Sequence, residues 1–167
     1  MNKRINQILL FFFLFLLQVL LLNNINFLGN INPYLYIAFI FLFPLNENRF
    51  TFLFISFLLG LFIDFFSDSG GIHAFSTLFI AYFRLSFVRI YFRKNPADYP
   101  FFNLHQESFG KVFIYVSTLT VIHHLIYFSF ANFSFHNISM VLINTLNTSV
   151  FTLILYFLAT SVFTKSE

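Results

Sequence analysis

The chain has 167 residues, of which 59% are hydrophobic and only 9% charged, and its mean hydropathy is +0.82. A soluble domain carries about 25% charged residues, so a water-facing surface free of large apolar patches is beyond this composition, and lipid is the natural solvent for most of its side chains. The absence of cysteine excludes a disulfide framework and thiolate chemistry, and with a net charge of only +3 the placement of the charges matters more than their sum.

Six apolar runs predict an all-α polytopic membrane bundle, one domain over 1–167, with helices at about 5–22, 28–45, 50–66, 72–92, 112–131 and 138–163. In lipid each run must be helical, because backbone groups there need internal partners. The first run approaches the roughly 20 residues that cross a 30 Å hydrocarbon core. Lys3 and Arg4 precede it as in a signal peptide, but the Asn-Asn-Ile-Asn at 23–26 lacks an A-x-A-like cleavage site, so a retained helix is expected. The second run has a short apolar core, 34–45, equivalent to roughly 18 Å of helix. Charge argues that it nevertheless crosses. With six crossings and a cytoplasmic N-terminus, Lys3, Arg4, Arg49, Arg89, Arg93, Lys94, Lys111 and Lys165 all fall in cytoplasmic segments. The outer loops at 23–33, 67–71 and 132–137 then hold no Lys or Arg, as the positive-inside tendency requires. Phe27, Leu28 and Ile31 would lengthen this helix, with Pro33 near its start, where proline is tolerated.

Most of the 31 phenylalanines read as lipid-facing filler. The one long connector, 93–111, contains Pro96 and Pro100, which are expected to break any helix there, and Tyr99, Phe101 and Phe102, which suit the membrane–water interface.

Charged and polar groups within the runs are the candidate site, because each is costly in a bilayer. Asp64 lies near the outer end of the third run, in G-L-F-I-D-F-F-S-D-S-G-G. Gly60 is four residues earlier on the same face and would let a neighbouring helix approach closely, bringing a donor to Asp64. Asp68, Gly70 and Gly71 form a tight outer turn, and His73 follows it. Arg84 is expected either to bond Asp64 or another helix, or to snorkel to the inner surface beside Arg89. His123 and His124 fall near mid-membrane and point about 100° apart, which with no H-x-x-H pair argues against a metal site; they read as helix–helix hydrogen-bonding groups or as a proton relay. Asn144 and Thr148 on the sixth helix complete a polar seam. These groups look scattered in depth, with Asp64 and His73 near the outer surface. No phosphate loop, nucleophile elbow or paired-carboxylate site is present, so no enzyme, metal or cofactor is expected.

The stretch Phe57–Ser67, F-L-L-G-L-F-I-D-F-F-S, followed by G-G-I-H-A at 70–74, with N-P-Y-L-Y-I opening the second run, resembles the MreD family of bacterial rod-shape proteins. The resemblance is distinctive over about 32–84 and rests on hydropathy elsewhere. It implies a non-catalytic scaffold in the bacterial inner membrane that works with an MreC-like bitopic protein, MreB-like cytoskeletal protein, a SEDS glycosyltransferase–class B penicillin-binding protein pair and membrane lipid, and not with nucleic acid. The family is also similar to substrate-binding subunits of energy-coupling-factor transporters, which supplies an alternative. The topology has a direct check: reporter fusions at 46–49 and at Lys94 are expected to be active only as cytoplasmic fusions, and periplasmic activity at Lys94 would overturn the six-crossing arrangement.

Overall fold

The computed structural model describes residues 3–25, 32–132 and 138–164, and among them it is helical without strands. The helices are α1 (Lys3–Leu20), α2 (Ala38–Leu42), α3 (Arg49–Ser67), α4 (Ile72–Phe92), α5 (Phe109–Asn132) and α6 (Ile138–Thr164). Short 3-10 turns at Leu22–Asn24 and Leu35–Ile37 follow α1 and lead into α2. Five spans, containing α1 and α3 to α6, are long and apolar enough to cross a membrane.

The second run departs from expectation. Instead of a continuous helix over 28–45, helical backbone covers only Leu35 to Leu42, and 28–31 lie outside the described residues. Pro44 explains the early end. A proline disfavours helical geometry in the residue before it, and Phe43 accordingly turns extended, at φ −65° and ψ 135°. The helical part, roughly 13 Å long, lies on the axis of the bundle. Tyr36, Ile37, Phe39 and Ile40 are at most 1% exposed. Around it, α1, α3, α4, α5 and α6 pack in that order, each against the next. Among the described residues α1 and α6 make little direct contact, so the wall of the bundle is open between them.

Hydrogen bonds set the direction of each element. Gln18, near the end of α1, donates to the Pro33 carbonyl at 3.0 Å, whereas Gln7, near its start, donates to Glu47 at 3.3 Å. The segment 33–47 therefore runs antiparallel to α1 over roughly 16 Å, the rise from Gln7 to Gln18. Asn23 donates to Ser67 at 2.9 Å, which returns the end of α3 to the end of α1. Phe109 and Phe113 pack on Phe157, so α6 runs antiparallel to α5. Asn6 and Thr160 line one groove, which brings the start of α1 and the end of α6 to the same face. That face also carries Arg4, Arg49, Arg89 and Lys94 and is called the basic end below. The outward surface is apolar, with Phe13, Phe54, Phe79, Leu146 and Ile154 exposed.

At the basic end the connector is more ordered than its prolines imply. Pro96–Phe101 forms a 3-10 helix, with Pro96 in its first turn, where a missing N–H costs nothing, and Asn95 and Asp98 forming a capping box. Pro100 is accommodated inside it, which corrects the expectation that both prolines exclude helix. Lys94 pairs with Glu107 at 3.1 Å, and Arg89 donates to the Tyr99 hydroxyl at 3.2 Å. Tyr99 is buried while Phe101 is 85% exposed.

A short axial helix leaves backbone groups unsatisfied at both ends, and three side chains meet them. Gln18 accepts from the Tyr36 amide at 3.4 Å, and Thr152 of α6 accepts from the Tyr34 amide at 3.1 Å. Arg84 of α4 donates to the carbonyls of Phe41 and Phe43, and its guanidinium lies 4.9 Å over the Phe52 ring. Arg84 is 2% exposed. It neither snorkels beside Arg89 nor bonds Asp64; of the expected alternatives it takes the bond to another helix, holding the C-terminal end of α2, where a cation is favoured by the helix dipole. Replacing Arg84 with Met is expected to destabilise the bundle by about 3 kcal/mol, the scale of leaving buried carbonyls without a donor. Thermal unfolding in detergent measures this, and Arg84→Lys should retain part of the stability.

Candidate functional site

The turn between α3 and α4 is built around Asp64. Helix α3 stops at Asp68, which takes the left-handed conformation at φ 51°, and its N–H bonds back to the Asp64 carbonyl. Gly70 and Gly71 follow at φ 65° and 94°, conformations that glycine adopts without a Cβ penalty. Because Gly71 is the N-cap of α4, the cap position offers no side chain to the first amides of that helix. Asp64 supplies one from the neighbouring helix. Its Oδ1 accepts from the His73 amide at 2.9 Å and from the Ser69 hydroxyl at 2.6 Å, and its Oδ2 accepts from the Ala74 amide at 2.7 Å. A carboxylate at a helix N-terminus is favoured both by these charge-assisted bonds and by the dipole. Asp64 is 4% exposed, so the bonds form with little competition from solvent. Asp68 is exposed and provides only its backbone to the turn.

Gly60 makes this arrangement reachable. A Cβ on Gly60 would lie 2.5 Å from the Ala74 Cα and 2.7 Å from the His73 carbonyl oxygen, closer than side chains tolerate. The backbones of α3 and α4 touch there, one turn below the carboxylate that bonds the same two residues.

Behind this corner His73 and His123, expected at different depths, are brought together through Tyr36, while Arg84, Asn144 and Thr148 lie apart from them. The Tyr36 hydroxyl lies 2.9 Å from His73 Nδ1 and 2.8 Å from His123 Nε2, and the Thr77 hydroxyl donates to it at 3.3 Å. A tyrosine hydroxyl has one proton and two lone pairs. It therefore donates to one imidazole and accepts from the other, which locks the two histidines into complementary tautomers. His123 Nδ1 is buried and has no partner among the described residues. An orphaned N–H is the rarer kind of unsatisfied group, which assigns the donor role to His123 Nε2 and makes Tyr36 the donor to His73.

His124 faces away, toward α6. Its Nδ1 donates to the Thr120 carbonyl at 2.7 Å, with the Ser149 hydroxyl 3.2 Å away, and its Nε2 accepts from Thr152 at 3.5 Å. The Tyr34 ring stacks on His124 at 5.4 Å and meets Tyr127 edge-on at 4.9 Å. The two adjacent histidines thus bind different neighbours, as their angular separation dictates.

Of the remaining candidates, Thr148 is fully buried on α6, with its hydroxyl lacking a partner among the described residues, and Asn144 is half-buried. Gln18, Tyr34, Tyr36, Tyr127, Ser149 and Thr152 were not singled out from the sequence, yet they complete the network. Gln18 had a readable signal, a lone amide inside an otherwise apolar run. The tyrosines did not, because an N-P-Y-L-Y-I stretch gives no sign that it will be enclosed on every side. No group of three or more metal-ligating side chains occurs among the described residues. Comparison with models of known families, with curated proteins and with solved structures finds no match.

The α3–α4 corner makes unequal demands on its residues. Asp64→Ala is expected to cost about 3 kcal/mol or more, since it strands buried donors that formed charge-assisted bonds, and Asp68→Ala less than about 0.5 kcal/mol, as for an exposed side chain. Gly60→Leu should be at least as harmful as Asp64→Ala, by forcing the backbones apart. Unfolding midpoints of the three variants in detergent provide the comparison, and equal stability for the two aspartate variants would contradict the capping role.

Proposed function

We propose that this chain is a non-catalytic scaffold of the bacterial cell-wall elongation complex, of the MreD type, acting in regulation of cell shape. In this reading it sits in the inner, cytoplasmic membrane with six crossings and both termini in the cytoplasm. The alternation of chain direction and the gathering of cations at one end support that topology, with the axial segment 33–47 serving as the short second crossing.

The observation that carries the reading is the opening between α1 and α6. It is a groove of about 660 Å³ with almost wholly apolar walls, floored by Leu35, Ala38 and Leu42 of the axial segment. Ala38 and Ala159 line it, and small residues let a further helix approach closely. The transmembrane helix of an MreC-like bitopic partner is the occupant this reading assigns. An MreB-like filament and the SEDS glycosyltransferase–penicillin-binding protein pair would assemble through that partner or at the basic end. A scaffold needs such an apolar recess, while its own polar groups hold it together.

The convergence of His73, Tyr36 and His123 is the feature that favours the alternative, a ligand-binding subunit of a small-molecule transporter. Against it, Tyr36, His123 and Thr77 are fully buried and bonded to one another, and the Asp64 carboxylate is engaged by the α4 amides. A site for a small polar ligand instead presents convergent groups to a cavity. Depletion in a rod-shaped host is expected to round the cells, with nutrient uptake intact, and the protein in mild detergent is expected to co-purify with a bitopic membrane partner. Substituting Ala159→Phe, which fills the groove, should abolish that co-purification without unfolding the bundle. Normal shape in a clean deletion, with a vitamin requirement cured by supplementation, would sink the scaffold reading and promote the alternative.

A further inference from the structure

A second groove, of about 640 Å³, lies between α1 and α3 and differs from the first in the chemistry of its mouth. Its depth is limited. The helices close on each other toward their far ends, where Phe15 contacts Phe62 at 5.8 Å and Phe66 at 5.6 Å and Asn23 bonds Ser67. Toward the basic end they diverge, and the opening extends from Thr51 to Phe62 along α3, roughly 16 Å of helix rise. One leaflet of a bilayer has about 15 Å of hydrocarbon, so the groove matches the length of an acyl chain in that leaflet.

The difference is chemical. The floor is apolar, with Phe11, Phe39 and Phe43 buried, but the mouth at the basic end is lined by Arg4, Gln7, Glu47 and Asn48. Arg4 and Glu47 bear opposite charges at this one mouth and form no ion pair with each other. Glu47 accepts one bond, from Gln7, which fixes its carboxylate at the rim. A cation and an anion at one mouth, above a slot one leaflet deep, complement a headgroup that itself carries both charges, and a carboxylate at the rim favours one whose ammonium has N–H groups to donate, as ethanolamine has and choline has not.

We propose that this groove binds one phospholipid with an ethanolamine-type headgroup. Its phosphate lies on Arg4, its ammonium on Glu47, and one acyl chain runs along Phe11 and Phe39 to the Phe62 closure. The proposal is independent of the scaffold reading, which concerns the opposite flank of α1.

The test uses the full chain in nanodiscs containing equal amounts of phosphatidylethanolamine, phosphatidylglycerol and phosphatidylcholine with identical acyl chains, released into the gas phase for native mass spectrometry. The wild type is expected to retain one ethanolamine lipid in roughly threefold excess over either competitor, the size of effect that one exposed ion pair produces. Glu47→Gln should erase that preference, and Arg4→Gln should lower retention of all three lipids. Both residues lie at the rim, so both variants should melt as the wild type does. Ile55→Trp, which fills the slot from α3, should remove the bound lipid altogether. Equal retention of the three lipids, a preference unchanged by the two rim variants, or a lipid-free dimer joined through this groove would overturn the proposal.

Discussion

A backbone amide or carbonyl inside a bilayer has no water to bond if its partner is lost, and the axial segment of this bundle concentrates that problem. A helix of eight residues has almost as many unpaired backbone groups as paired ones. Placed in lipid it would cost several kcal/mol for each orphan. Enclosed by five longer helices, it becomes tenable because polar side chains are delivered to its ends: Gln18 and Thr152 at one, Arg84 at the other. The need of these backbone ends explains why Gln18, Arg84 and Thr152 are buried on otherwise apolar stretches of α1, α4 and α6. The wall of the bundle and the segment at its centre are therefore specified together: without the wall the segment's ends are unsatisfied, and without the segment Gln18, Arg84 and Thr152 lose buried partners.

The same logic applies at the α3–α4 corner. Two glycines give the turn its left-handed geometry but leave the following helix without a capping side chain. Asp64 makes up the deficit from across the helix interface, and it can do so only because Gly60 brings the two backbones into contact. Gly60, Asp64, Gly71, His73 and Ala74 thus form one unit in which the absence of side chains at two positions is answered by a charge at a third. His73 belongs to this unit through its amide and to the Tyr36 network through its ring. It couples the corner mechanically to the centre of the bundle.

Five of the helices were legible from hydropathy to within a few residues, 72–92 and 138–163 as Ile72–Phe92 and Ile138–Thr164. Long apolar runs leave the backbone no other choice in lipid. The second run was misjudged in length because the lipid requirement was applied to a segment that touches little lipid. Irregular backbone is tolerated at membrane depth when protein surrounds it, and Phe43 before Pro44 is such a place. Which of its expected placements Arg84 takes could not be read for a related reason. Snorkelling is the expectation for an arginine facing lipid, but the groups that bind it, the Phe41 and Phe43 carbonyls, exist only because α2 ends early. Asp64 was legible as a residue in need of a partner. That the partner would be backbone amides rather than a cation required knowing that Gly71 is the N-cap.

The distribution of polarity also bears on what this protein does. Its described interior holds two carboxylate oxygens, three histidine rings, an arginine and several hydroxyls, an inventory that in another setting would mark a catalytic or transport site. Most of these groups bond to backbone or to one another: Asp64 to the α4 amides, Arg84 to the end of α2, His73 and His123 to Tyr36, His124 to Thr120. Groups engaged in this way cannot bind a ligand without first breaking bonds that hold helices together, and each such bond is costly to break in a low-dielectric interior. The two grooves flanking α1 are lined mostly by apolar side chains. Filling them therefore removes apolar surface from its surroundings without breaking the buried polar bonds of the interior. In the scaffold reading, recognition falls to those outer recesses, and α1, which packs less extensively than α3, α4 or α5, is the element best placed to adjust to what fills them.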